Sequence, residues 1–319
     1  MISADETHAA RTGLKYTTVF AVFALTIVGA FIGGVVIYFK FVAYGRVAAK
    51  HLPAETTFAA RIDIETLTIS EPVRKHLLPL FDLGVIGAPN LKARHDRFRA
   101  HTGVELGRDL REIVFGVSDG GWVVVLGGKF PRTGLIDGLA VTLEEEQTPA
   151  TVQAGVIQVG SGAAIGQASD GAVVVASDRV RLQSALAGSD VYLRLGLPPE
   201  GAGGFALELG QHAPASLQQF QRIAGSLQLD KGLEADLAVR LKPGASAEKD
   251  AVLSAFAALG AAAPASAEVA RPLSAGEIGT QRPDEVGVKL HWERGEIDAG
   301  VAWLAQLLEA QFAARPTKP

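Results

Sequence analysis

Between Lys15 and Lys40 the chain carries no charged side chain; Tyr16 to Phe39 reads YTTVFAVFALTIVGAFIGGVVIYF. As a helix the run is roughly 36 Å long, enough to cross a hydrocarbon layer of about 30 Å with some tilt. A core helix of a soluble protein rarely needs so many uninterrupted apolar positions. Tyr16, Tyr38 and Tyr44 stand near its ends, where amphipathic rings favour the headgroup zone. The expectation is therefore a single transmembrane helix with a juxtamembrane extension over 16–51, preceded by a short polar tail, 1–15. A cleaved secretory leader has an apolar run of about 7–15 residues, much shorter than this one, so the run reads as an uncleaved anchor.

Orientation rests on weaker signals. Lys40, Arg46 and Lys50 follow the run, and Arg11 and Lys15 precede it, a bias that slightly favours a cytoplasmic C-terminal side. A short N-terminal tail before a long domain is, however, the layout of a signal anchor, and long domains translocate largely regardless of charge. The reading places the C-terminal part in the periplasm, with the chain in a bacterial inner membrane. Inside the span, Gly29 and Gly33 form a G-x-x-x-G pair, flanked by Ala30 and Gly34. Small residues at that spacing let helix backbones approach, so a homodimer through the span is expected.

Composition closes several routes. There is no cysteine, which excludes disulfides, thiolate metal sites and cysteine nucleophiles. A net charge of −4 supplies no global basic field for nucleic acid, so nucleic acid is not an expected partner.

Beyond Leu52-Pro53, alternation marks a strand at Phe58 to Ile64 and helical spacing marks Leu77 to Phe81. A polar helix follows at Leu91 to His101. Ile113 to Val117 and Trp122 to Leu126 flank Ser118-Asp119-Gly120-Gly121, a hairpin with its turn residues in place. A helix at Leu135 to Leu143, a strand at Val156 to Val159, a hairpin over Ala163 to Ala176 and a helix at Arg179 to Leu186 complete this half. Gly196 to Gly204 reads as a Pro/Gly linker. The second half predicts a strand at Phe205 to Leu209, a helix at Ala215 to Arg222 and strands around Leu227 to Leu241. A helix at Ala247 to Leu259 and an Ala/Pro-rich loop, Ala261 to Asp284, come next. The strand Val286 to Trp292 and a final helix through Ile297, Val301, Leu304, Leu308 and Phe312 end it. The fold class is α+β, with halves at 52–195 and 205–313 and a disordered tail over 314–319. Each half has the β-α-β-β-α-β order of ferredoxin-like, split βαβ folds with antiparallel or mixed sheets.

Leu52-Pro53-Ala54-Glu55-Thr56-Thr57-Phe58 and Thr102-Gly103-Val104-Glu105-Leu106, with Asp109-Leu110 after it, carry a resemblance. The chain is similar to uncharacterised bacterial single-pass proteins whose exported domain opens with a Leu-Pro-Ala-Asp-Thr-like phrase. Glu55 and Glu105 depart from the Asp more usual there. The resemblance implies a shared fold and brings no catalytic residues.

The search for chemistry returns few signals. Gly116-Val117-Ser118-Asp119-Gly120 matches G-x-S-x-G, but a nucleophile elbow passes from strand to helix, and here another strand follows. Gly160 to Gly166 and Gly127-Gly128-Lys129 lack the spacing and context of phosphate-binding loops. His8, His51, His76, His95, His101, His212 and His291 show no ligand spacing and read as solvated. Glu144-Glu145-Glu146 reads as a solvated charge run. Neither a cofactor nor a metal is expected, and no catalytic residue is assigned.

The most pointed polar feature is Lys92, Arg94, Arg97 and Arg99, with His95 and His101, on one short helix, followed by Arg108 and Arg111. It is either a contact face for anionic lipid, an acidic partner or nucleic acid, the last needing a cytoplasmic domain, or an exposed face neutralised by acidic neighbours. The reading overall is a membrane-tethered, non-catalytic interaction or structural module of the bacterial envelope with an envelope protein as partner. An envelope hydrolase with a fold-assembled site is one alternative. A cytoplasm-facing domain using the basic helix is the other.

Overall fold

The computed structural model describes residues 48–77, 79, 91–160, 162–209, 219–229, 232–242, 244, 250, 254, 277–282 and 284–313. Tyr16–Phe39, with Gly29 and Gly33, lies outside them, as does nearly all of the helix expected over 247–259. Among the described residues no helix is long and apolar enough to cross a membrane.

Strand β1 (Phe58–Asp63) buries Ala59, Arg61 and Asp63, the face opposite to the apolar set Phe58, Ala60 and Ile62 that its alternation would put inside; Ile62 is left exposed. It pairs antiparallel with β2 (Leu110–Ser118) on one side and with β8 (Gly203–Glu208) on the other. Outward from β2 lie β3 (Gly121–Gly128), β7 (Val173–Ala176), β6 (Ala164–Gln167), β5 (Val156–Val159) and β4 (Ala150–Gln153). Outward from β8 lie β9 (Phe220–Leu229), β10 (Leu233–Leu241), β12 (Glu285–Trp292) and β11 (Glu277–Arg282). Together they form a 12-stranded sheet in which every recorded pairing is antiparallel.

The α+β class therefore holds, with one large antiparallel sheet. A split βαβ order would put β3 between β1 and β2. Instead β1 meets β2 directly, from Phe58 opposite Val117 to Asp63 opposite Glu112. The β2–β3 hairpin, turned at Asp119-Gly120, is common to both arrangements; what differs is that β1 takes the free edge of β2 and not that of β3. Each half starts at the sheet centre, runs outward through a hairpin and returns in reverse order, as β7 to β4 in the first half and β12 to β11 in the second.

Two other readings need correction. Phe220–Leu229 is a strand, so the helix expected over 215–222 does not include Phe220 to Arg222. Ile223, Leu227 and Leu229 alternate, and pairing with both β8 and β10 overrides the helical spacing of Leu217 and Phe220. Glu277–Arg282, expected within a loop, is a strand paired along β12, with Ile278 in register with Val288.

Short helices α1 (Ile64–Ile69) and α2 (Glu71–His76) follow β1; α3 (Leu91–Thr102) and α4 (Leu106–Asp109) lead into β2. Helix α5 (Leu135–Glu145) follows β3, α6 (Arg179–Ala187) and α7 (Val191–Leu195) follow β7, and α8 (Arg294–Ala313) follows β12. One core lies between the sheet and helices α6 and α7, built from Val114, Val125, Val174, Leu182 and Leu195. Another lies on the opposite face, where Phe98, Val104, Phe130 and Leu135 pack beneath α3 and α5.

The segment after the charge-free run enters the first of these cores. Ala48–His51 forms a 3₁₀ turn, and Ala48 and Leu52 are fully buried. The turn Thr56 N–H to Pro53 carbonyl, 3.0 Å, then aims the chain into β1. The Leu-Pro-Ala-Glu-Thr phrase is thus an entry turn: Leu52 fills the space left by Gly116, where a Cβ would sit 2.6 Å from its Cδ2.

Candidate functional site

A cavity lies where elements of the two halves meet. About 560 Å³ opens among α1, α2, the end of β9 and α8, lined by Thr66, Ile69, Pro72, Arg74, Leu229 and Ile297 among others. Its volume falls in the range of small-molecule sites.

The first wall is set by sequence-local devices. The Asp63 carboxylate caps α1 by accepting from the Thr66 N–H at 2.7 Å. Ser70 ends α1, and Pro72 preorganises the first turn of α2, where its missing N–H costs nothing. The second wall is α8, which crosses α2 through polar pairs. Glu71 pairs with Arg294, and Asp298 takes Lys75 and His76 at 3.0 Å each. Hydrogen bonds from Lys75 and then His76 hold the Asp298 carboxyl below the usual carboxylate range.

Behind the first wall sits a buried ionic cluster. Arg61 donates from Nε to Glu112 at 3.2 Å and from Nη2 to Asp63 at 2.8 Å, and both its pairs are sealed from solvent. Arg61 Nη1 also reaches the Glu200 carbonyl at 3.4 Å, and Glu112 Oε1 accepts the Ala48 N–H at 2.9 Å. One cluster on β1 and β2 thereby fastens three things: the entry turn, the α1 cap and the Pro/Gly stretch over 196–204. That stretch is packed closely, since the Ala202 N–H bonds the Leu227 carbonyl and the Asp63 N–H bonds Ala202. A small cavity of about 50 Å³ adjoins it, lined by Lys50, Arg61, Glu112, Tyr192 and Pro198 among others.

The basic helix α3 faces α5. Arg94 and Arg97 pair with Glu146, Arg97 and His101 with Glu145, and Arg99 with Glu105 at 3.9 Å. The Glu146 carboxyl is held low, chiefly by the Arg94 hydrogen bond. Lys92 lies on the same helix. Gly138 is what lets the helices meet, because a Cβ there would collide with the His101 carbonyl. Arg108 turns to Asp109 and Glu105, and Arg111 to Glu65 at 3.0 Å. The two charge runs that the sequence offers separately are thus partners.

Ser118 ends β2 and is buried, and Asp119-Gly120 turns directly into β3, so the G-x-S-x-G lies on strand–turn–strand. Gly160 to Gly166 spans the β5–β6 hairpin. Among the described residues no group of three His, Asp or Glu could hold a metal.

His51 departs from the solvated reading. Its ring is buried, with Nδ1 3.1 Å from the Ala185 carbonyl and Nε2 2.9 Å from the Asp170 carboxylate. It belongs to the entry turn, whose insertion into the core follows from Ala48 and Leu52. Nothing in its spacing to other histidines signals this. The cleft itself was also missed, because its lining comes from three separated segments.

No protein-family description matches the chain, and no curated protein matches it. Among solved structures, crystal form I of TP0453 aligns with a TM-score of 0.45 at 8% identity, covering 82% of this chain and 97% of that one. Crystal form III of TP0453 aligns with a TM-score of 0.45 at 6% identity, covering 82% and 98%.

Proposed function

We propose that this protein is a membrane-tethered, non-catalytic module of the bacterial cell envelope, which binds through the cleft between its halves. The observation that carries the reading is the cleft: about 560 Å³, with one wall fixed by the buried Arg61–Asp63–Glu112 cluster and the other clipped on by exposed ion pairs. A rigid wall facing a polar-clasped one suits binding and release. In this proposal Tyr16–Phe39 is the anchor, Gly29 and Gly33 pack two copies together, and the domain faces the periplasm, where an envelope protein partner would meet it.

The basic helix supports the same reading by default. Arg94, Arg97 and Arg99 already have carboxylate partners within the chain, which leaves them less to offer to anionic lipid or nucleic acid.

Ser169 lies exposed in the β6–β7 turn, and the chain has no native thiol. A Ser169→Cys variant, treated with a membrane-impermeant maleimide in cells with opened outer membranes, is expected to label before the inner membrane is lysed. Labelling only after lysis would reverse the orientation.

A further inference from the structure

We infer that the cleft takes a single-chain anionic amphiphile, an acyl carboxylate being the simplest form; this deepens the reading of the cleft as the binding site. The apolar part of the argument is a track along the sheet. Leu229 lines the cleft, and Leu227, two residues earlier on β9, points to the same face. Leu227 stands in register with Gly203 of β8, and Gly203 with Ile62 of β1. Leu227 is 42% and Ile62 45% exposed, and Ile69 at the cleft is 71% exposed. Large aliphatic side chains left open on one sheet face beside the cleft are an unfinished apolar contact. Gly203 adds no side chain between them, and a Cβ there would lie 2.9 Å from the Arg61 carbonyl. The patch therefore has a flat floor about two strand spacings wide, or roughly 10 Å.

The polar part is charge. Around the cleft, Arg294 is paired with Glu71, Lys75 and His76 with Asp298, and Arg111 with Glu65. Arg74 lines the same cleft, is exposed, and has no ion pair among the described residues. A guanidinium in that setting is complementary to a carboxylate. An extended peptide would want strand-edge backbone groups to bond to. One wall of this cleft is instead helical and presents no strand edge, which favours a chain without backbone polarity of its own.

The experiment uses the full chain held in solution by an amphipathic polymer, with Ile69→Cys as the sole thiol carrying an environment-sensitive fluorophore. Tetradecanoate, below its micelle concentration, is expected to give a saturable blue shift. Calorimetric titration of the unlabelled chain is expected to return the same affinity. Arg74→Gln is expected to weaken tetradecanoate about tenfold and to leave tetradecanol unchanged, the loss of one charge-assisted contact. Equal binding of tetradecanol and tetradecanoate to the native chain, or indifference to Arg74→Gln, would overturn the assigned head group. No saturable response to tetradecanoate would overturn the ligand class. If an envelope extract of the same cells still shifts the fluorophore in that case, the cleft remains a binding site for something else. If neither shifts it, both readings fall.

Discussion

Arg61 shows how much one residue can organise. Its guanidinium is buried between Asp63 and Glu112, and those carboxylates in turn hold the α1 cap and the Ala48 N–H. Removing one member of a buried ionic group leaves the others uncompensated, which costs about 3–5 kcal/mol. Arg61→Ala is therefore expected to lower unfolding free energy by about that much in urea melts, and to loosen the cleft wall as well. Some of this was legible beforehand and some was not. The alternation through Phe58 to Ile64 located β1 and, by period, put Arg61 on the same face as Ala59. It could not show that the face was buried with its charge, because the compensating Glu112 lies on another strand. His51 was misread for the same reason: its partners, Ala185 and Asp170, are far away in the chain.

At the level of elements, α3 and α5 behave as one unit. Their contact depends on Gly138 lying against the His101 carbonyl. Gly138→Ala forces the helices apart by overpacking and is expected to cost about 1–3 kcal/mol, read from thermal or urea unfolding. By contrast, Arg94→Gln with Arg97→Gln removes only exposed pairs and is expected to leave the thermal midpoint within the scatter of replicate melts. A large loss in that double variant would mean the pairs hold α3 in place. The longer helices α3, α5, α6 and α8 were all legible, though only α8 through a regular apolar stripe. Periodicity failed for β9, where Leu217 and Phe220 carry a helical spacing into a segment whose two neighbouring strands impose extension. The six-residue helices α1 and α2 are too short to show a period, so the cleft they frame left no sequence signal.

For the molecule as a whole, five carboxyls share one tendency: Asp109, Glu146, Asp170, Asp178 and Asp298 all sit below their ordinary range in the folded state. At Asp170 burial pushes upward, and the His51 hydrogen bond and the Ala172 N–H outweigh it. At Asp178 the Arg181 backbone N–H leads. Groups depressed on folding contribute stability that is complete above their unfolded values, about 3.9 to 4.3, and that is lost as pH falls through the folded ones. Stability is thus expected to be nearly flat from pH 7 to 5 where these groups are concerned, and to fall below about pH 4. Asp170→Asn should flatten part of that fall in urea titrations across pH. The central pairing of β1 with β8 has a consequence for biosynthesis. While the ribosome is at work, the outer edge of β1 stays open until β8 has emerged, roughly 150 residues later, or about 8–30 s at about 5–20 residues per second. During that interval Phe58 to Ile62 is a bare strand edge on a nascent polypeptide, and a cell making this protein has to shield it from its neighbours.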